Sequence, residues 1–302
     1  MNKYLTAFFM AWGNFLSIPC PVKRWDENLR KEMLKMLPSV GLVVGLIWFA
    51  LAVLLWKIKL PYILSGFFLT AYIYFVTGFL HLDGFMDCRD AIMSRRDLAE
   101  RQRILKDSHV GAFGVISVVL LILGMFAGLS AYMFIVSEIT EKLEPGGSPY
   151  LWCYFLPLVV LPVVTRHWAG TEVIKRRPME TSQYVNTWKK SEKESSSIAP
   201  GVMVVQTLIY VLVPFAIMLL LDIKGGESLS ENAGLSQYTA FGLFRTFAAS
   251  IALAMIATNR GIKKAVKSLG GMNGDIAGYG ICLGEVWGVI VATLCLPLFY
   301  IG

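Results

Sequence analysis

Apolar residues in this chain come in runs of roughly 17 to 25 positions, and polar residues are swept into the gaps between them. The runs lie at about 40–56, 62–80, 112–136, 151–170, 201–221, 239–257 and 278–300. A helix needs about 20 apolar residues to cross the hydrocarbon layer, and it satisfies its own backbone there. The pattern therefore predicts an all-α, polytopic integral membrane helix bundle of about seven spans, a single domain over residues 1–302. Residues 4–18 form a shorter run that stops at Pro19-Cys20-Pro21 and predict an interfacial or re-entrant helix, with a total of eight spans left open. In 26–37 (DENLRKEMLKML), Leu29, Met33, Leu34, Met36 and Leu37 alternate with charges, so residues 1–39 read as an interfacial N-terminal segment. Gly41 and Gly45 make a small-xxx-small pair that permits close helix packing.

Composition agrees, with 56% apolar and 16% charged residues among 302. The distribution of Lys and Arg gives the orientation. Segments 1–39, 81–111, 171–200 and 258–277 hold 22 of the 28 basic residues, whereas the intervening loops hold only Lys57, Lys59, Lys142 and Lys224. The positive-inside rule makes the basic side cytoplasmic and the chain a multi-pass protein of the cell (inner) membrane. The net charge of +7 then answers to orientation and to anionic membrane lipid, and calls for no nucleic acid. Cysteines 20, 88, 153, 282 and 295 show neither zinc spacing nor a paired framework.

Chemistry concentrates in residues 81–111, expected as a cytoplasmic acidic-motif loop, and in 258–277, expected as a cytoplasmic Gly-rich loop. Asp83, Asp87 and Asp90 are spaced i, i+4, i+7, which on a helix confines three carboxylates to about a 60° arc. Like charges so placed repel, and a hard divalent cation offsets the repulsion: the reading is Mg²⁺. Asp107, Ser108, Gly111 and Gly114 follow in a turn whose N–H groups could approach phosphate oxygens, with Lys106 beside them. Gly270 and Gly271 precede Asp275 at the mouth of the last run, bringing backbone close to a ligand beside a carboxylate. Arg166, at the inner edge of a run, faces either a polar cavity or lipid headgroups. Glu285 lies inside the last run, where an ionisable group is costly and marks a functional candidate. It could share a cavity with Asp275.

With HLDGFMDCRD, ILKDSHVGAFG and LGGMNGD in place, the chain resembles the adenosylcobinamide-GDP ribazoletransferase, or cobalamin (5′-phosphate) synthase, family over nearly its whole length. The match falls on His81, Asp83, Gly84, Asp87, Asp90, Lys106, Asp107, Ser108, Gly111, Gly114, Gly270, Gly271, Gly274, Asp275 and Glu285. It departs at Ala91, Asn273 and Cys282, where the family has Gly, Thr and the first of two Glu. The resemblance implies Mg²⁺-dependent attack of α-ribazole, or its 5′-phosphate, on adenosylcobinamide-GDP with loss of GMP. Asp83, Asp87 and Asp90 would hold metal. Lys106, Asp107, Ser108, Gly111, Gly114, Arg166, Gly270, Gly271 and Glu285 would bind substrate. His81 or Asp275 would be the base, His81 favoured for its near-neutral unperturbed pKa. A homo-oligomer is left open. The competing expectations are a membrane phosphoalcohol transferase of the CDP-alcohol type, against which the missing Ala-Arg step counts, and a divalent-cation transporter, which would carry acids near mid-bilayer on several spans.

Overall fold

The computed structural model describes residues 2–143, 151–180, 182, 185, 198–228 and 236–296. The described residues hold eleven α-helices and no strand. They are α1 (Lys3–Phe15), α2 (Arg30–Lys35), α3 (Leu37–Lys57), α4 (Tyr62–Phe75), α5 (Leu80–Met93), α6 (Leu98–Ile104), α7 (Ala112–Leu143), α8 (Leu156–Lys175), α9 (Ile198–Ser228), α10 (Ser236–Leu269) and α11 (Gly274–Cys295). The polar stretches 137–149, 175–197 and 222–237 lie partly outside the described residues; α7 runs through Leu143 and α9 through Ser228.

Each of the seven apolar runs overlaps a helix, as an all-α membrane bundle requires. By length and apolarity, Leu37–Lys57, Ala112–Glu141 and Gly274–Cys295 could each cross a membrane, and the bent pair Tyr62–Phe75 with Leu80–Met93 could make a fourth. The apolar part of that pair is α4, since Asp83, Asp87, Arg89 and Asp90 put four charges into the 14 residues of α5. Val115, Ile116, Val119, Leu120 and Leu123 leave about half or more of their surface exposed along one flank of α7, a patch suited to lipid. By contrast α11 is mostly buried and forms the axis of the bundle, with α5, α7, α8 and α10 packed around it. The outer layer follows: α3 lies on α8, and α4 on α7.

Small residues set these approaches. A Cβ on Gly41 would stand 2.4 Å from the Pro162 carbonyl oxygen, and one on Gly45 2.1 Å from that of Val159, so α3 and α8 meet backbone to backbone as the small-xxx-small pair predicts. Between α4 and α5 the chain turns through 84°. Phe79 N donates to the Tyr74 carbonyl at 3.0 Å and Gly78 N to the Phe75 carbonyl at 2.9 Å, with Gly78 in the left-handed region at φ 57°: a Schellman stop. The carbonyls freed at that stop are also bonded from outside, since Ser17 Oγ donates to Phe75 O at 2.6 Å and Ser17 N to Val76 O at 2.9 Å. Phe79 follows at φ 62°, a strained conformation for a residue bearing a Cβ.

Two expectations are corrected. Residues 81–111 are not a loop: α5 and α6 occupy most of the segment, and α5 buries His81, Leu82, Gly84, Phe85, Cys88, Asp90 and Ala91. Nor is 258–277 a loop, because α10 continues to Leu269 and only 270–273 turn. The reason is amphipathicity: Ile262, Ala265 and Leu269 face inward while Lys263, Lys264 and Lys267 stay exposed. Gly45→Ala should cost about 1–3 kcal/mol by overpacking the α3–α8 contact, read as a lower melting temperature in detergent. Gly201→Ala, which meets nothing within 4 Å, should not lower it.

Candidate active site

The site is built where α5 crosses the start of α11. A Cβ on Gly84 would lie 2.7 Å from the Asp275 Cα, and one on Gly278 2.9 Å from the His81 Cα, so each helix offers a glycine to the other's backbone. Phe85 and Tyr279 stack beside the crossing with centroids 5.3 Å apart at 18°. Arg89 ties α5 to α7, its Nε donating to Ser117 Oγ at 3.0 Å. The crossing thereby brings Asp275 within electrostatic reach of Asp83 and Asp87, although these residues are far apart in sequence.

Asp83 is exposed and Asp87 half-buried on the outer side of the crossing, with Asp275 half-buried in the first turn of α11. Asn273 caps that helix, its Oδ1 accepting from Ile276 N at 3.0 Å, and its Nδ2 donates to Asp275 Oδ2 at 2.6 Å. Burial first, then the charges of Asp83, Asp275 and Asp90, pushes the Asp87 carboxyl up to about 7. The charges of these acids therefore oppose one another across the crossing. Their donors are hard oxygens of the kind Mg²⁺ takes. Among the described residues no three His, Cys, Asp or Glu side chains converge as a metal-holding group.

Asp90 departs from its expected role. It is buried, and its two oxygens accept from Gly111 N and Gly114 N at 2.8 Å each, so it closes the start of α7. Gly111 and Gly114 therefore serve this carboxylate: a Cβ on either would stand 2.3 Å from an Asp90 oxygen. Their amides do not face a phosphate. Asp107 accepts from His109 N at 3.0 Å, with His109 Nδ1 2.7 Å away, and these contacts hold its carboxyl below the usual range. Lys106 and Ser108 are exposed on the same connection.

Three further candidates move. His81, expected with Asp275 as a candidate base for the hydroxyl, is buried in the first turn of α5 with its Nε2 unpartnered. Gly270 and Gly271 abut protein: Gly270 takes φ 80°, a Cβ on Gly271 would lie 2.8 Å from Met179 N, and Met272 N donates to Arg177 O at 3.0 Å in a strand-like bridge. Arg166 faces neither headgroups nor an open cavity. Its Nη1 lies 2.6 Å from Glu285 Oε1, deep between α8 and α11. Arg89 and Asn273 had no role assigned from the sequence; the second was legible as a helix N-cap just before an apolar run.

The model of the cobalamin-5-phosphate synthase family matches residues 7–293. An adenosylcobinamide-GDP ribazoletransferase of Clostridium perfringens (strain SM101 / Type A) is 33% identical over 96% of this chain and 98% of its own length. One from Clostridium botulinum (strain Alaska E43 / Type E3) is 30% identical over 97% and 99%, and one from Brevibacillus brevis 30% identical over 91% and 92%. No solved structure matches. Asp90→Asn, which keeps one acceptor and loses the other, should weaken the α7 start by about 1–3 kcal/mol, seen as faster hydrogen exchange at Gly111 and Gly114.

Proposed function

The chain belongs to the cobalamin-5-phosphate synthase family, and from that premise we propose that it joins α-ribazole, or its 5′-phosphate, to adenosylcobinamide-GDP with release of GMP. The proposed reaction is a Mg²⁺-dependent late step of cobalamin biosynthesis at the cytoplasmic face of the membrane. The observation that carries this reading is the α5–α11 crossing, where the Asp275 backbone lies against Gly84 and the Asp275 carboxylate comes within electrostatic reach of Asp83 and Asp87. Such a cluster is costly alone and favourable beside a metal-bound diphosphate.

Asp83 and Asp87 would hold the ion, which supplies neutralisation of the diphosphate and stabilisation of the departing phosphate oxygens. The ribazole hydroxyl attacks the phosphorus that bears the cobinamide, the bond from that phosphorus to the GMP oxygen breaks, and the hydroxyl proton passes to a base. Asp275 is the base in this reading. Asn273 holds its Oδ2, which leaves Oδ1 for the hydroxyl, whereas His81 is buried with Nε2 inside the bundle. Lys106, exposed between α6 and α7, supplies a mobile positive charge for phosphate oxygens.

Purified protein given adenosylcobinamide-GDP, α-ribazole and Mg²⁺ should release GMP, and release should stop when the divalent cation or α-ribazole is omitted. GMP release without α-ribazole, or transfer from a CDP-alcohol to a lipid alcohol, would overturn the reading. Asp83→Asn and Asp87→Asn should each lower turnover by at least about 100-fold with an unchanged elution profile in detergent. Full activity in both would remove the metal assignment.

A further inference from the structure

The short helix α6 follows α5 after the connection 94–97 and packs on the carbonyl end of α10, the helix that leads into α11. That end stops on a left-handed residue: Gly270 takes φ 80°, and its N–H donates to the Val266 carbonyl at 2.9 Å. A stop of this kind leaves the carbonyls of Ser268 and Leu269 without a donor from their own helix. Helix α6 supplies both. Arg101 Nη1 donates to Ser268 O at 3.1 Å, and Gln102 Nε2 donates to Leu269 O at 2.8 Å. The same arginine holds the chain that leaves α5, its Nε donating to Arg96 O at 2.6 Å. A Cβ on Gly270 would lie 3.1 Å from both Gln102 Nε2 and Leu98 Cδ1, so α6 rests directly on the turn.

The turn leads straight to the acidic site. On its other side it is held by Met272 N donating to Arg177 O and Met179 N donating to Met272 O, each at 3.0 Å. Asn273 follows, caps α11 and donates to the Asp275 carboxylate, and the Asp275 backbone lies against Gly84 of α5. Residues 268–275 thus join the carbonyls held by α6 to the Asp275 carboxylate. Arg101 commits Nε and Nη1 to backbone, whereas Arg95, Arg96 and Arg103 around it are exposed.

Resting on the transferase reading above, we propose that Arg101 and Gln102 are positioning residues of the acidic site. By tying the exit of α5 to the end of α10 they hold the turn 270–273 and the first turn of α11, and so set Asp275 against α5. Neither touches substrate.

The test removes the donors and keeps the apolar stems, with Arg101→Met and Gln102→Met combined. Hydrogen exchange at Ile276 and Ala277, whose amides donate to Asn273 Oδ1 and Asn273 O, reads the first turn of α11 in detergent without reference to the reaction. In the double variant this exchange should be faster by about 10-fold or more. The kcat of GMP release should fall by at least about 10-fold, with KM for adenosylcobinamide-GDP held within about 2-fold. Unaltered exchange overturns the proposal, whatever happens to activity. Faster exchange with full turnover confines α6 to a structural cap and overturns it as well, and a raised KM at unchanged kcat overturns it by making the pair a substrate contact. Should the double variant not fold, Gln102→Met alone, which alters no charge, is read by the same two measurements with about 3-fold effects expected and the same outcomes against it. If wild-type protein releases no GMP, the transferase reading fails while the exchange rates still decide whether α6 holds the start of α11.

Discussion

The close crossing of α5 over α11 is the constraint on which the rest depends. Two glycines, Gly84 and Gly278, let the helices approach until side chains are excluded from the contact, and that proximity carries Asp275 to Asp83 and Asp87. A methyl group on either glycine would have to push backbone aside, and the carboxylates of the two helices would separate. Phe85 on Tyr279 and Arg89 on Ser117 fix the rotation of α5 about its axis, which the glycine contacts alone would leave free.

The elbow between α4 and α5 makes that crossing available. A straight continuation of α4 would carry the acidic motif away from the bundle, as the uninterrupted pattern of residues 62–80 suggests. The Schellman stop at Gly78, with Ser17 satisfying the carbonyls of Phe75 and Val76, ends α4 at a small hydrogen-bonding cost. The N-terminal segment is thus part of the machinery that aims α5.

Charge is treated differently at the two levels of the bundle. Near its polar end Asp275 comes within electrostatic reach of Asp83 and Asp87, and burial together with these neighbours pushes the Asp87 carboxyl up. Deeper inside, Arg166 and Glu285 neutralise one another at 2.6 Å, because an isolated charge there would be prohibitive. Asp90 belongs to neither level. Its charge is taken up by two backbone amides, which is why its spacing with Asp83 and Asp87 does not translate into a shared role.

Much of this was legible in the chain itself. Long apolar runs determine an all-helical membrane bundle since only helices satisfy their backbone in lipid without closing a barrel, and Gly41 with Gly45 marks a tight packing face. The acidic motif and the glycine-flanked Asp275 stand out as candidates for phosphate and metal chemistry, since such residues are too costly to keep idle at a membrane. Partnership between side chains was not legible. Whether Asp90 meets a cation or two amides, whether Gly271 meets a ligand or Met179, and whether Arg166 meets a headgroup or Glu285 depend on contacts between residues up to 119 positions apart. Local spacing places a side chain on a face of its own helix; only the packing of that helix against the others decides what the face meets.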